Sequence, residues 1–144
     1  MENRNNWQPL KLRAEDDNDL QVFSQCIFEA IVVPAEIHYY KKEKELAMAI
    51  ERFTWESAGG QDHKLQQVLA VLIIQGVEKV NFKNIFKKNT IKNILSISNI
   101  DNNILILLND EEIITLNVGK WRCILEDIGN PIYPPTVPNH LKND

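Results

Sequence analysis

Glu45-Leu46-Ala47-Met48-Ala49-Ile50-Glu51-Arg52-Phe53-Thr54-Trp55-Glu56 is the stretch on which the fold reading turns. Leu46, Met48 and Ile50 recur at every second position, which is the period of a strand. Phe53 and Trp55 then fall on the opposite face, while Arg52, Thr54 and Glu56 continue the first. A strict period of two does not change sides. The stretch therefore predicts either a bulge near Ile50 to Arg52 or coverage of both faces. Upstream, Ala30 to Tyr40 is β-branched and aromatic, Pro34 marks a bulge or an edge, and Lys41-Lys42-Glu43-Lys44 makes a polar turn. Residues 30–56 read as one β-hairpin.

The same reasoning extends outward. Leu10 to Arg13 alternates apolar and charged residues, as a short strand does. Glu15-Asp16-Asp17-Asn18-Asp19 then supplies the acidic cap of a helix over Asp17 to Glu29 with a buried stripe of Leu20, Phe23 and Ile27. Gly59-Gly60 lies in a loop from Ser57 to Asp62. Val68 to Ile74, apolar throughout, reads as a central strand. Lys79 to Lys92 reads as a basic loop with a helical turn around Phe82, Ile85 and Phe86. Ile94 to Ser98, Ile104 to Leu108 and Ile113 to Val118 have the spacing of an antiparallel meander, with Asn- and Asp-rich turns between them. Trp121, Ile124, Leu125 and Ile128 stand at i, i+3, i+4 and i+7, which predicts a C-terminal helix ending at Gly129 and Pro131, with Arg122 and Glu126 paired on its outer side. The expected fold is α+β: a bent, mostly antiparallel sheet or partial barrel with a helix near each end, on the plan of pleckstrin-homology-like domains. One domain over 7–129 and an extended Pro-rich tail over 130–144 complete the expectation.

Composition narrows the function classes. With 144 residues, 44% hydrophobic and 25% charged, the chain is long enough to bury a core without a metal or disulfide. The net charge of −4 argues against a duplex-binding surface. No apolar run reaches the roughly 18 residues of a membrane helix, and Met1 to Asn6 is too polar for a signal peptide. The expected compartment is therefore the cytoplasm, where Cys26 and Cys123 stay reduced.

Several of these markers occur together. Leu10-Lys11-Leu12-Arg13-Ala14-Glu15-Asp16, Asp19-Leu20, Arg52-Phe53-Thr54-Trp55-Glu56, Val68-Leu69-Ala70-Val71 and Asp127-Ile128-Gly129 before the Pro-rich tail resemble an uncharacterised alphaproteobacterial family of small single-domain proteins of unknown function. The resemblance runs over nearly the whole chain, and Arg-Phe-x-Trp-Glu is its most specific part. It implies a bacterial protein and no particular activity.

No glycine loop for phosphates, nucleophile elbow or Cys-x-x-Cys is present, and His38, His63 and His140 are far apart. No catalytic residue, metal site or cofactor is expected. The first expectation is a non-enzymatic interaction or regulatory module, a homodimer or a binder of another protein. Its partner face would hold Arg52, Thr54 and Glu56 with His38 and Tyr40 across the hairpin. The alternative is a small-anion-binding domain or an undetected enzyme with Arg52 as the anchor and Glu56 or His38 beside it. A third reading takes Lys79, Lys83, Lys87, Lys88 and Lys92, interleaved with Phe82 and Phe86, as a single-stranded nucleic-acid surface.

Overall fold

In the computed structural model, which describes residues 7–58, 65–83 and 90–133, the chain is built mostly of strand. Lys11–Ala14 (β1) is followed by the helix Asp17–Cys26 (α1). Then come Ile31–Val32 (β2), a single 3-10 turn at Pro34–Glu36, Ile37–Tyr40 (β3) and Glu45–Phe53 (β4). A short helix at Trp55–Ala58 (α2) precedes Gln67–Lys83 (β5), Lys92–Ile100 (β6), Asn103–Leu108 (β7) and Ile113–Asp127 (β8). The pairing order β8-β5-β4-β2-β6-β7 returns to β8, which closes a six-stranded antiparallel barrel. β1 adds to β8 and β3 adds to β4 outside that ring.

The expectation of an α+β fold with a C-terminal helix is overturned. Ile113–Asp127 is one 15-residue strand that passes straight through the segment read as helical. Its second half directs Cys123, Leu125 and Asp127 inward and leaves Ile124 and Glu126 outside, with Ile128 exposed just past its end. Apolar residues on both faces of this strand mimic the helical spacing. Arg122 pairs with Glu15 at 2.7 Å instead of with Glu126. β5 is likewise longer than expected, running on through Lys79 and Phe82. The predicted hairpin holds at Ile37–Tyr40 against Glu45–Phe53, but Ile31–Val32 is a separate strand split off by the turn at Pro34.

Local chemistry explains the remaining elements. Asp16 caps α1, its Oδ1 accepting from the Asp19 amide at 2.8 Å. Leu20, Phe23 and Ile27 are buried as the stripe predicts, and α1 lies along β6, where the Ser24 hydroxyl accepts from the Ile97 amide at 3.1 Å. Asp101 and Asn102 both hold positive φ, 51° and 64°, and make the two-residue turn between β6 and β7. The main core cluster among the described residues includes Leu46, Met48, Ile50, Leu72, Ile74, Ile104, Ile106, Ile114, Leu116 and Leu125. Each such side chain contributes about 1.5–3 kcal/mol on burial.

β8 changes face midway, and β5 steps out of phase with it at Val77 and back by Val80. In β5 the inward residues are Val68, Ala70, Leu72 and Ile74, and then Val77. In β8 they are Ile114, Leu116 and Val118, and then Cys123 and Leu125. The register between the strands shifts between Gln75 and Val77 and again between Val77 and Lys79. Gly76 makes this possible. Its φ is +86°, and a Cβ there would stand 2.2 Å from the Lys120 carbonyl oxygen. The Gly76 and Val77 amides both donate to the Lys44 carbonyl, at 3.0 and 2.9 Å, which ties the bulge to the β3–β4 turn.

Gly76→Ala is expected to destabilise the protein by roughly 2–4 kcal/mol, because backbone strain and a backbone clash add. Urea unfolding followed by circular dichroism measures it, and an unchanged midpoint refutes the role given to this bulge.

Candidate functional site

Arg52 ends the inward row Leu46, Met48, Ile50, and its side chain is fully buried. Its register with β5 runs unbroken from Glu45↔Gln75 to Phe53↔Gln67, so β4 has no bulge there. Both faces are covered instead. The outer side holds Phe53, packed with Leu65, Ile31 and Trp55.

The guanidinium uses every donor it has. Nε donates to Asp127 Oδ1 and Nη2 to Asp127 Oδ2, each at 2.8 Å. Nη1 and Nη2 grip Glu56 Oε1 and Oε2 at 3.0 and 2.9 Å, and Nη1 also donates to the Phe53 carbonyl at 3.1 Å. Five N–H groups thus have five acceptors. Burial pulls the Arg52 pKa down, but the hydrogen bonds to Asp127 and then Glu56 more than offset it and leave the pKa raised. Asp127 is itself anchored, accepting from the Leu10 amide at 2.8 Å while its own amide donates to the Leu10 carbonyl at 2.9 Å. The network joins β4, α2, the end of β8 and the approach to β1. It leaves no Arg52 donor for an incoming anion.

The other predicted site residues disperse. Thr54 is buried and its hydroxyl accepts from the Gln66 amide at 2.9 Å. Glu56 sits on α2, its side chain 32% exposed. Trp55, beside it, donates from Nε1 to the Phe28 carbonyl at 2.9 Å. His38 and Tyr40 are exposed, with ring centroids 6.5 Å apart, and stand opposite Ala47 and Glu45, at the far end of β4 from Arg52. Lys79 and Lys83 are exposed on β5. Lys92 is buried, 2.8 Å from Glu112 and 3.2 Å from Asp110, and the Glu112 hydrogen bond raises its pKa. Lys87, Lys88, Ile85, Phe86, His63, His140, the Gly59-Gly60 pair and the tail from residue 134 lie outside the described residues.

Neither cysteine is a ready nucleophile. Burial pushes the Cys26 thiol up, with the Glu56 carboxylate adding to it, and burial lifts Cys123 to about 12. Among the described residues no three His, Cys, Asp or Glu side chains converge to hold a metal.

Two surface features were not legible as sites in the sequence. One is a groove beside the bulges, about 610 Å³, lined by Glu15, Gln75, Gly119, Lys120, Trp121 and Arg122. A shallower hollow of about 410 Å³ shares Glu15 and Trp121 with it and adds Asp16, Asp17, Asn18 and Asn99. The second feature is the outer face of β1-β8-β5-β4. Its cross-strand rows are Arg13–Ile124–Ile73–Ala47 and Lys11–Glu126–Val71–Ala49, flanked by Leu69 beside Glu51 and by Gln75 beside Glu45. Leu69 and Ile128 are 42% and 56% exposed, and Ala47, Ala49, Val71, Ile73 and Ile124 are half-buried. A barrel wall facing water normally carries polar residues at these positions.

Arg52→Ala is expected to cost about 3–5 kcal/mol, because it strands the buried Asp127 carboxylate. Glu56→Gln, at a partly exposed carboxylate, should cost under about 1 kcal/mol. Equal losses in chemical denaturation would refute this division of the network. Cys123 titrates near 9.0 unfolded and about 12 folded, so its contribution is complete below pH 9 and declines between those values. The slope is up to about 1.4 kcal/mol per pH unit. Melting curves from pH 8 upward should show a shallower decline for Cys123→Ala, and an unchanged slope removes the thiol as its source.

No curated protein and no solved structure matches the chain. A family model described as a protein of unknown function does match, over residues 10–140, and so covers β1 to β8 and the whole Arg52 network. The chain therefore belongs to the DUF2948 family.

Proposed function

We propose that the protein is a non-enzymatic interaction module of the cytoplasm that meets a protein partner through the outer face of β1-β8-β5-β4. The observation that carries this reading is the run of apolar residues at outward positions: Leu69, Val71 and Ile73 on β5, Ile124 on β8 and Ile128 just past its end, Ala47 and Ala49 on β4. Exposed apolar area of this kind costs solubility, and a partner that covers it recovers the hydrophobic free energy, at about 25 cal/mol per Å². Charged residues border the patch as they do at the rim of an interface, with Lys11 and Arg13 on one side and Glu45 and Glu51 on the other, and Glu126 stands within it between Lys11 and Val71. Cytoplasmic residence is supported by the two free thiols. The Arg52 network supports a structural role for the strongest charge cluster, since its donors are spent within the fold.

A photo-crosslinking residue placed at Ile73 in living cells should give a discrete adduct, and the same probe at Val22, exposed on α1, should not. The adduct should be lost when Leu69→Asp is introduced on the same face. No adduct at Ile73, or equal adducts at both positions, refutes the reading.

A further inference from the structure

We infer that the partner of this face is a second copy of the chain, seated face to face about a two-fold axis parallel to the strands; the inference rests on the reading of the face given above. The charge layout carries it. On the outer face, β1 presents Lys11 and Arg13, and β4, three strands away, presents Glu45 and Glu51. The two signs sit on opposite edges of one surface; between them lie the apolar rows and one acid, Glu126, which stands on β8 beside Lys11.

Such a surface is complementary to itself in one orientation. An axis along the strands lays β1 of one copy over β4 of the other and β8 over β5. Lys11 and Arg13 then meet Glu51 and Glu45 twice, once on each side of the axis. An axis across the strands lays β1 over β1 and sets the basic pair against itself, which electrostatics penalises. Strands kept nearly parallel across the interface also match the aligned way in which two sheets stack, about 10 Å apart.

Side-chain size agrees with the charges. Beneath the long Lys11 and Arg13 side chains of the other copy lie Ala47 and Ala49, the small residues that separate Glu45 from Glu51. They leave room for the basic stems to lie flat and reach the carboxylates. Ile124 of each copy falls on Ile73 of the other, and Glu126 falls beside Val71, where its own neighbour Lys11 on β1 balances its charge. Four strands by four outward residues, two positions apart, cover roughly 19 by 20 Å. That is below a standard interface and in the size class of weak, transient complexes.

Sedimentation velocity on the full chain, from about 5 to about 500 µM, tests the inference. Wild type should shift from monomer to dimer across that range. Lys11→Glu with Arg13→Glu should stay monomeric, and so should Glu45→Lys with Glu51→Lys. An equimolar mixture of these two double variants should dimerise again, since each then offers the sign the other needs. Circular dichroism confirms that both fold. Should either fail to, Ile73→Asp in the otherwise native chain replaces it and should be monomeric. A monomeric wild type at the highest concentration, or a mixture that does not recover the dimer, overturns the inference. If the Ile73 crosslink then joins a different protein, the face keeps its role and only the second copy is lost; if it joins nothing, both fall.

Discussion

β5 and β8 must each serve two sheets, and this constraint organises the molecule. The first half of β5 pairs with β4 and the second half of β8, while its second half pairs with the first half of β8, which also holds β7. A strand that kept one parity throughout would turn its apolar side chains to the solvent at the corner. The irregularity at Gly76, opposite Lys120, exchanges the two faces of β8 and puts β5 out of phase at Val77, after which Val80, opposite Leu116, is again on the inner side. Ile74 and Val77 therefore both point inward although three positions separate them. The same exchange brings Trp121 and Lys120 to the rim of the groove beside Glu15.

The Arg52 network closes the other end. A buried ion pair is poor evidence of net stability, because desolvation offsets the Coulomb gain. Here its geometry gives specificity. Two bidentate grips from one planar group fix β4 to β8 and to α2, and Asp127 passes the constraint on to the backbone of Leu10. Arg-Phe-x-Trp-Glu reads naturally in this light. Arg52 points in, Phe53 packs outside, and Trp55 and Glu56 begin the short helix that returns a carboxylate to Arg52. The spacing of four between Arg52 and Glu56 bridges a strand end and a helical turn, where a continuous strand would have separated them.

The outer face and the mistaken C-terminal helix have one cause. In a barrel wall wetted on its outside, strands alternate apolar and polar residues and show a clean period of two. Ile124, Ile73 and Val71 break that alternation because their face is apolar on both sides. In β8 the break places Trp121, Ile124, Leu125 and Ile128 at helical spacing. A period reports how many faces are covered, and it identifies the element only when one face is wet.

By itself the sequence determined the short-range features: the Asp16 cap, the buried stripe of Leu20, Phe23 and Ile27, the Asn- and Asp-rich turns, the β3–β4 hairpin and the family to which the chain belongs. Each depends on residues within a few positions of one another, where backbone preferences and side-chain hydrogen bonds act directly. Tertiary structure alone decided that the sheet closes, that β8 runs through to Asp127, and that Arg52 faces inward to a carboxylate 75 positions away. It also decided which charges share a surface. Lys11 and Glu51 come to one face only through the register of four strands, and pairing of that range leaves no periodic trace in the chain.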